Sequence, residues 1–293
     1  MIDKARLLKA WKLRIGLPML RRLKPERDVL ANGRLMRVNL KDRVIGSTLY
    51  VHGKYEYELD QLLRRLDLHG KVCLDIGANI GLHTLALSEC VGNEGQVYAF
   101  EPEAYNFSLL SYNLRCHGAT NVVARQCAVG DVKASGRLDV NLSNFGDHRI
   151  DLHEAADKVM QEIEVTTVDS SLKTLPDDSI GFIKVDVQGY EPQVIRGMTR
   201  TLKRNPSAVM MIEVFPEGLR WADSSPTELM QTLLDTGMHG WELHPDRVLP
   251  VCQPWAYELI LHGREVNVLL SQDHEKLWTA LKGMYAYPRT NEK

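Results

Sequence analysis

The sequence lacks any apolar run near the ~20 residues needed to cross a bilayer. Its start lacks the unbroken apolar core of a secretory signal, because Arg14, Pro18, Arg21 and Arg22 interrupt it. Cysteine is scarce. Cys73, Cys90, Cys116, Cys127 and Cys252 are an odd number with no C-x-x-C spacing, which excludes a disulfide framework and a Cys-rich zinc site. Cys73 and Cys127 sit in apolar runs and read as small core residues. A reducing, cytoplasmic setting is expected. Repeats and low-complexity segments are lacking too. So is an excess of basic charge: 36 Lys and Arg against 38 Asp and Glu give a net −2, which argues against a nucleic-acid partner. That total conceals a split. Residues 1–27 hold nine basic and two acidic side chains (+7), and the remaining 266 residues carry −9.

What is present is ordinary for a soluble domain: 293 residues, 44% apolar and 25% charged. Such a chain can bury roughly 75% of the surface its unfolded form exposes, so its core needs no metal or disulfide. Leu7, Leu8, Trp11 and Ile15 predict a helix over 4–15. Residues 35–51 read as two short strands around Lys41-Asp42, and a helix is expected from Glu56 to Asp67. From residue 71 strands and helices alternate. Strands are expected over 72–76, 96–100, 122–129, 182–187 and 208–214, with helices between them. Residues 136–142 and 162–168 read as a strand pair around a polar insertion, 143–161. Strands near 241–243 and 257–270 close the pattern. The alternation implies a doubly wound parallel sheet covered on both faces, and the crowded last strands imply an antiparallel edge strand.

In such a sheet ligands sit beyond the carboxyl ends of the strands. The first such end reads Asp75-Ile76-Gly77-Ala78-Asn79-Ile80-Gly81. Gly77 permits a tight turn, Asn79 is placed to cap the next helix, and Gly81 allows close helix–strand packing. Asn79 replaces the middle glycine of the dinucleotide fingerprint, and a carboxylate at Asp75 would repel pyrophosphate. It would suit a ligand with an ammonium group. Glu101, twenty residues beyond Gly81, is placed to accept ribose hydroxyls. A ribose-bearing cofactor with an amino-acid end satisfies both acids, and S-adenosylmethionine is that cofactor. A second marker is Lys184-Val185-Asp186-Val187-Gln188-Gly189-Tyr190-Glu191. Asp186 ends its strand at the same cleft, while Glu191 reads as a helix-dipole partner.

With Gly53-Lys54-Tyr55-Glu56, Phe100-Glu101-Pro102, Asn113, Thr167-Val168-Asp169 and Glu213, these motifs resemble the FkbM family of methyltransferases over about residues 50–270. Gln188 stands where the family more commonly has Glu. The resemblance implies a seven-stranded Rossmann-like α/β sheet with an antiparallel last strand. It also implies methyl transfer from S-adenosylmethionine to an oxygen, commonly a hydroxyl of a sugar, glycan or secondary metabolite. Carried over by position, Asp75, Gly77, Ala78, Asn79 and Gly81 would meet the methionine part, and Glu101 and Pro102 the ribose side. Cys127 and Ala128 would lie along adenine, and Glu56 would close over the methionine end. The domain reading is residues 1–54 as a basic helix and β-hairpin extension, 55–271 as the methyltransferase unit, and 272–293 as a helical tail.

Methyl transfer to an alcohol needs an in-line approach and removal of the hydroxyl proton. Asp186, Glu213 and His148 are the candidate bases, and Asp186 also faces the cofactor. His148, His153, Glu154 and Asp157 match no firm ligand spacing, so no metal is expected. The alternatives are a carboxyl or nitrogen acceptor, or a cofactor-binding scaffold without catalysis. Trp221, Trp241 and Trp255 suit sugar stacking or the core. The basic segment 1–27 suits peripheral membrane contact, packing on its own acidic domain, or contact with a second subunit.

Overall fold

The structure is a computed structural model that describes residues 15–150, 159–244, 248–251 and 263–282. The helix expected over 4–15, apart from its last residue, lies outside them, as do His153, Glu154, Asp157, Cys252 and Trp255.

A short helix, Leu17–Leu23, is followed by a hairpin of β1 (Glu26–Ala31) and β2 (Arg34–Asn39). Asn32-Gly33 joins the strands, both residues at positive φ (47° and 88°), as the tight hairpin turn favoured by Asn-Gly requires. This corrects the strand pair expected over 35–51. The Asn-Gly turn sets the hairpin earlier, and Ile45–His52 is a helix. Asp42 starts that helix by accepting the backbone N–H of Val44 at 3.0 Å and of Gly46 at 2.7 Å. The next helix is shorter than expected, Tyr57–Leu63.

The further strands are β3 (Val72–Ile76), β4 (Gln96–Phe100), β5 (Val122–Arg125), β6 (Ala128–Val129), β7 (Ala134–Asp139), β8 (Arg149–Ile150), β9 (Met160–Thr166), β10 (Ile180–Val185), β11 (Val209–Val214), β12 (His239–Leu243), β13 (Val248–Pro250) and β14 (Val266–Ser271). The main sheet has the order β13-β12-β14-β11-β10-β3-β4-β5. Strands β3, β4, β5, β10 and β11 are parallel. β14 runs antiparallel between β11 and β12, and β13 adds a short antiparallel edge. The expected doubly wound arrangement is thus present with one additional edge strand. The single strand expected over 122–129 is divided: Ala128 and Val129 leave the main sheet and pair with Val165 and Thr166 in a smaller sheet, β6-β9-β7-β8. Among the described residues, no helix is long and apolar enough to cross a membrane.

Alternate residues of the central strands feed two cores. Leu74, Ile183 and Met210 join one cluster, while Cys73, Phe182 and Val209 join the other. Asp75, Lys184 and Glu213 share the second parity, so three charged groups fall on one face. Every residue of β10 and β11 is buried, Lys184 and Glu213 included. The described N-terminal part is not detached. Leu17, Leu20, Val38 and Leu49 share a core with Leu82, Leu85 and Leu110. Arg34 of β2, itself 4% exposed, pairs with Asp60 at 2.9 Å and Glu89 at 2.8 Å.

Candidate functional site

A cavity opens where β3, β4, β10 and β11 end, lined by Gly77, Glu101, Lys184, Asp186 and Glu213 among others. The first turn builds its floor. Gly77 has φ +83°, and a Cβ there would lie 1.8 Å from the Asp186 carbonyl oxygen, so only glycine lets the ends of β3 and β10 meet. The backbone N–H groups of Gly77 and Ala78 both donate to Phe100 O at 3.0 Å. Asn79 does not cap the following helix, whose N-cap is Gly81. Gly81 makes a close contact, but with the helix Ala104–Cys116: an added Cβ would lie 2.6 Å from Leu110 Cδ1.

Glu101 is 5% exposed and lines the cavity. Its Oε2 accepts the N–H of Asn79 at 2.8 Å and its Oε1 that of Glu103 at 2.9 Å. Burial nevertheless pushes its carboxyl up to about 8. Asp75 is fully buried behind the wall, outside the lining residues, and its Oδ2 accepts Thr84 Oγ1 at 2.6 Å. Its burial also raises the carboxyl, against the pull of Lys184. Ala78, Pro102, Cys127 and Ala128 line the cavity.

An acid–base group occupies the other end. Lys184 Nζ donates to Asp186 Oδ2 at 2.7 Å. Gln188 Nε2 reaches both Asp186 Oδ1 at 3.1 Å and Glu213 Oε2 at 2.5 Å. Burial disfavours the Asp186 carboxylate, but the Lys184 ammonium together with hydrogen bonds from Gln188 and Glu213 holds the group below the ordinary range. Glu213 has burial and then neighbouring Asp186 and Glu265 against it, so its carboxyl is driven well up. Glu56 sits at positive φ (43°) ahead of the helix Tyr57–Leu63. It accepts from Asn267 Nδ2 at 3.2 Å and lies 3.5 Å from His83 Nε2. Burial pushes Glu56 up to about 7, and burial, then Lys184, holds His83 down to about 3. His83 is therefore a neutral imidazole near pH 7.

A strap over residues 141–148 forms the roof. Phe145 O accepts from Asn79 Nδ2 at 2.8 Å and from Asn106 Nδ2 at 2.7 Å. Phe145 N–H donates to Asp42 Oδ1 at 3.3 Å, which ties the strap to the helix Ile45–His52. His148 lines the cavity, and its Nδ1 accepts Asn141 N–H at 3.0 Å. Burial lowers its pKa.

The candidates Glu56, Gly77, Ala78, Asn79, Glu101, Pro102, Cys127, Ala128, His148, Asp186 and Glu213 therefore converge, while Asp75 and Gly81 stand one layer back. Glu191 does more than face a helix dipole. Its Oε1 accepts the N–H groups of Val187 (3.1 Å) and Gly189 (3.2 Å), which fixes the turn that carries Gln188. Trp241 stacks on Trp278 at 5.2 Å in the core, whereas Trp221 is 47% exposed with Arg149 over its ring. Sequence reasoning gave no role to Lys184, His83, Asn106 or Phe145. For Lys184 a signal existed: a lysine inside an apolar strand, two positions before an acid, shares that acid's face and needs it as a partner.

The cavity suits a cationic, ribose-bearing cofactor. The Asp186 carboxylate complements positive charge, Glu56 and Glu101 offer oxygens to hydroxyl donors, and Ile80, Cys127 and Ala128 supply an apolar wall.

Residues 75–238 match the family described as the methyltransferase FkbM domain. "Methyltransferase 1" of Beauveria bassiana is 29% identical over 143 residues, 43% of this chain and 57% of that protein. "Hexuronic acid methyltransferase AglP" of Haloferax volcanii is 26% identical over 148 residues, 50% of this chain and 58% of that protein. The chain thus spans under three-fifths of the length of these relatives. A crystal structure of methyltransferase FkbM from Methylobacillus flagellatus aligns at TM-score 0.45 and 18% identity, over 68% of this chain and 43% of that one. The family match covers more than half of the sequence: the chain belongs to the FkbM methyltransferase family, which implies S-adenosylmethionine as the cofactor.

Proposed function

We propose that the chain moves the methyl group of S-adenosylmethionine to a hydroxyl oxygen of a sugar, glycan or secondary metabolite. The observation that carries this reading is the bridged pair Asp186 and Glu213, joined by Gln188 in the cavity that also holds Glu101. A hydroxyl is a poor nucleophile until a positioned base removes its proton, a contribution of ~10²–10⁴-fold. Buried carboxyl groups beside the cofactor residues supply such a base. A sugar acceptor is consistent with the name of the Haloferax relative.

Bound S-adenosylmethionine supplies an activated methyl whose carbon–sulfur bond breaks with the electron pair left on sulfur. The chain contributes position and proton handling. Glu101 accepts from the ribose, and Glu56 and the 77–79 turn hold the methionine end. Pro102, Cys127 and Ala128 flank adenine. Asp75 acts from behind as a buried anion paired with Thr84, and Gly81 sets the helix that carries the turn. Asp186, Glu213 and His148 face the acceptor side, where in-line approach to ~3–3.5 Å gives most of the acceleration.

The test is transfer of labelled methyl from S-adenosylmethionine to a panel of glycans and metabolites. A label that survives mild alkali and sits on oxygen is expected. Release as methanol would show a carboxyl acceptor, and label on nitrogen would show an amine. Tight binding of S-adenosylhomocysteine without any transfer would favour a scaffold.

A further inference from the structure

The amide nitrogen of Gln188 has two N–H bonds to give and no lone pair to accept with. One bond meets Asp186 Oδ1 at 3.1 Å and the other Glu213 Oε2 at 2.5 Å. Asp186 also receives the Lys184 ammonium on its second oxygen at 2.7 Å, so each oxygen of Asp186 has a strong donor. Glu213 differs. It is 4% exposed and meets no cation: besides the Gln188 amide, its carboxyl lies in hydrogen-bond reach of the Asp186 and Glu265 carboxyl groups. The acids Asp186, Glu265 and Glu191 surround it, with Lys184 directed to Asp186 and Glu56 held by Asn267. Gln188 itself holds φ +54°, a left-handed backbone that favours glycine. Glu191 pins that turn through the N–H groups of Val187 and Gly189.

We infer that Gln188 is a positioning residue that gives the two carboxyl groups separate tasks. Asp186 stays a fixed anion between Lys184 and Gln188, and Glu213 accepts the hydroxyl proton of the methyl acceptor. The inference rests on the methyl-transfer reading above. In the step, the acceptor oxygen bonds to the methyl carbon as the carbon–sulfur bond breaks. The positive charge on sulfur is discharged, and the hydroxyl proton passes to the Glu213 carboxylate. Asp186 is the weaker base of the two because the same ammonium that orders it also stabilises its charge. Gln188 differs from a glutamate at this point by being neutral: a glutamate would set a third acid against the other two.

The test is a carbon-13 NMR titration of side-chain carboxyl groups in the full chain, run on the unaltered protein and on Gln188→Asn, Gln188→Glu and Glu213→Gln. The last identifies the Glu213 signal. In the unaltered chain that signal is expected to titrate well above the ordinary glutamate range, with Asp186 below the aspartate range. Gln188→Asn draws the amide back by one methylene and Gln188→Glu replaces it with an acid, and both should raise the Glu213 midpoint by about one pH unit, a tenfold change in proton affinity. Gln188→Asn keeps an amide and tolerates the left-handed backbone, so it serves if Gln188→Glu does not fold. A Glu213 midpoint near ~4.3, or one unmoved by Gln188→Asn, overturns the inference. Calorimetry with S-adenosylhomocysteine on the unaltered chain separates the two failures. Binding with an unmoved Glu213 sinks this inference alone, whereas absence of binding sinks the transferase reading and Glu213's task with it.

Discussion

The side-chain amide of Asn79 donates to the carbonyl oxygen of Phe145 at 2.8 Å, across 66 positions of chain. Asn106 donates to the same oxygen at 2.7 Å. The cofactor turn and the strap are thus one unit, held by two donors on one acceptor. Replacing Asn79 with Ala removes a donor and leaves a β-carbon residue at φ +49°. Affinity for S-adenosylhomocysteine should fall about tenfold, the effect of one hydrogen bond of ~0.5–1.5 kcal/mol and some backbone strain. Titration calorimetry measures it; a change below about twofold would detach the strap from the cofactor site.

Gly77→Ala should be far more severe. The new methyl would fall 1.8 Å from the Asp186 carbonyl, and the backbone there stands at φ +83°. Both β3 and β10 would have to separate at the cavity floor. A loss of about 3 kcal/mol or more in chemical unfolding is expected, at the upper end for single substitutions. Retention of full stability would mean that the two strand ends do not touch.

Stability should fall as pH rises from about 6.5 to 8 in the protein without cofactor. Glu101 is held up to about 8 by burial, whereas an unfolded glutamate titrates near ~4.3. Between those values the folded chain retains a proton that the unfolded chain gives up, so alkali favours unfolding. Glu56 and Glu191, each pushed up to about 7, steepen the lower part of that window. His83, held down to about 3, acts oppositely but only below its unfolded value near ~6.5. Urea unfolding at several pH values should show Glu101→Gln flattening the decline between 6.5 and 8 by up to about 1.4 kcal/mol per pH unit. An identical slope in the variant would remove Glu101 as its source.

Two arginines of β2 offer an internal contrast. Arg34, 4% exposed, is clasped by Asp60, 2% exposed, through both carboxylate oxygens. Arg37 pairs at the surface with Asp28, which is 45% exposed. Asp60→Ala removes one of the two carboxylates that hold the buried guanidinium, leaving Glu89 on its other side, and should cost about 1–3 kcal/mol. Asp28→Ala should cost about 0–1 kcal/mol. Equal losses in paired unfolding measurements would contradict the burial of Arg34.

The parallel core was legible because its strands are short apolar runs ending in Gly, Asp or Glu, and strand ends are where ligands sit. Asp186 and Glu101 follow from that rule, and Glu213 enters with the family resemblance. The hairpin was misplaced although Asn32-Gly33 carried the signal, since apolar residues on both sides of Lys41-Asp42 imitate a second strand. The strap could not be read. Its hold on Asn79, Asn106 and Asp42 comes from residues 39 to 103 positions away, and no local period encodes such a contact. Glu191 has an ordinary explanation as a first-turn acid, and the two backbone donors it holds come together only when the turn 187–189 folds back over it.

The antiparallel insertion of β14 between β11 and β12 imposes an order of assembly. A nascent chain that has emerged only as far as residue 250 has β11 and the β12–β13 ribbon but nothing to join them. Both then present bare backbone edges, the kind of surface that recruits strands from other molecules. The sheet closes only when Val266–Ser271 slots into that gap and bonds to both sides. Glu213 and Asn267 are register partners across that seam, so the wall of the cavity that carries Glu213 depends on a strand contributed from about 50 residues further along the chain.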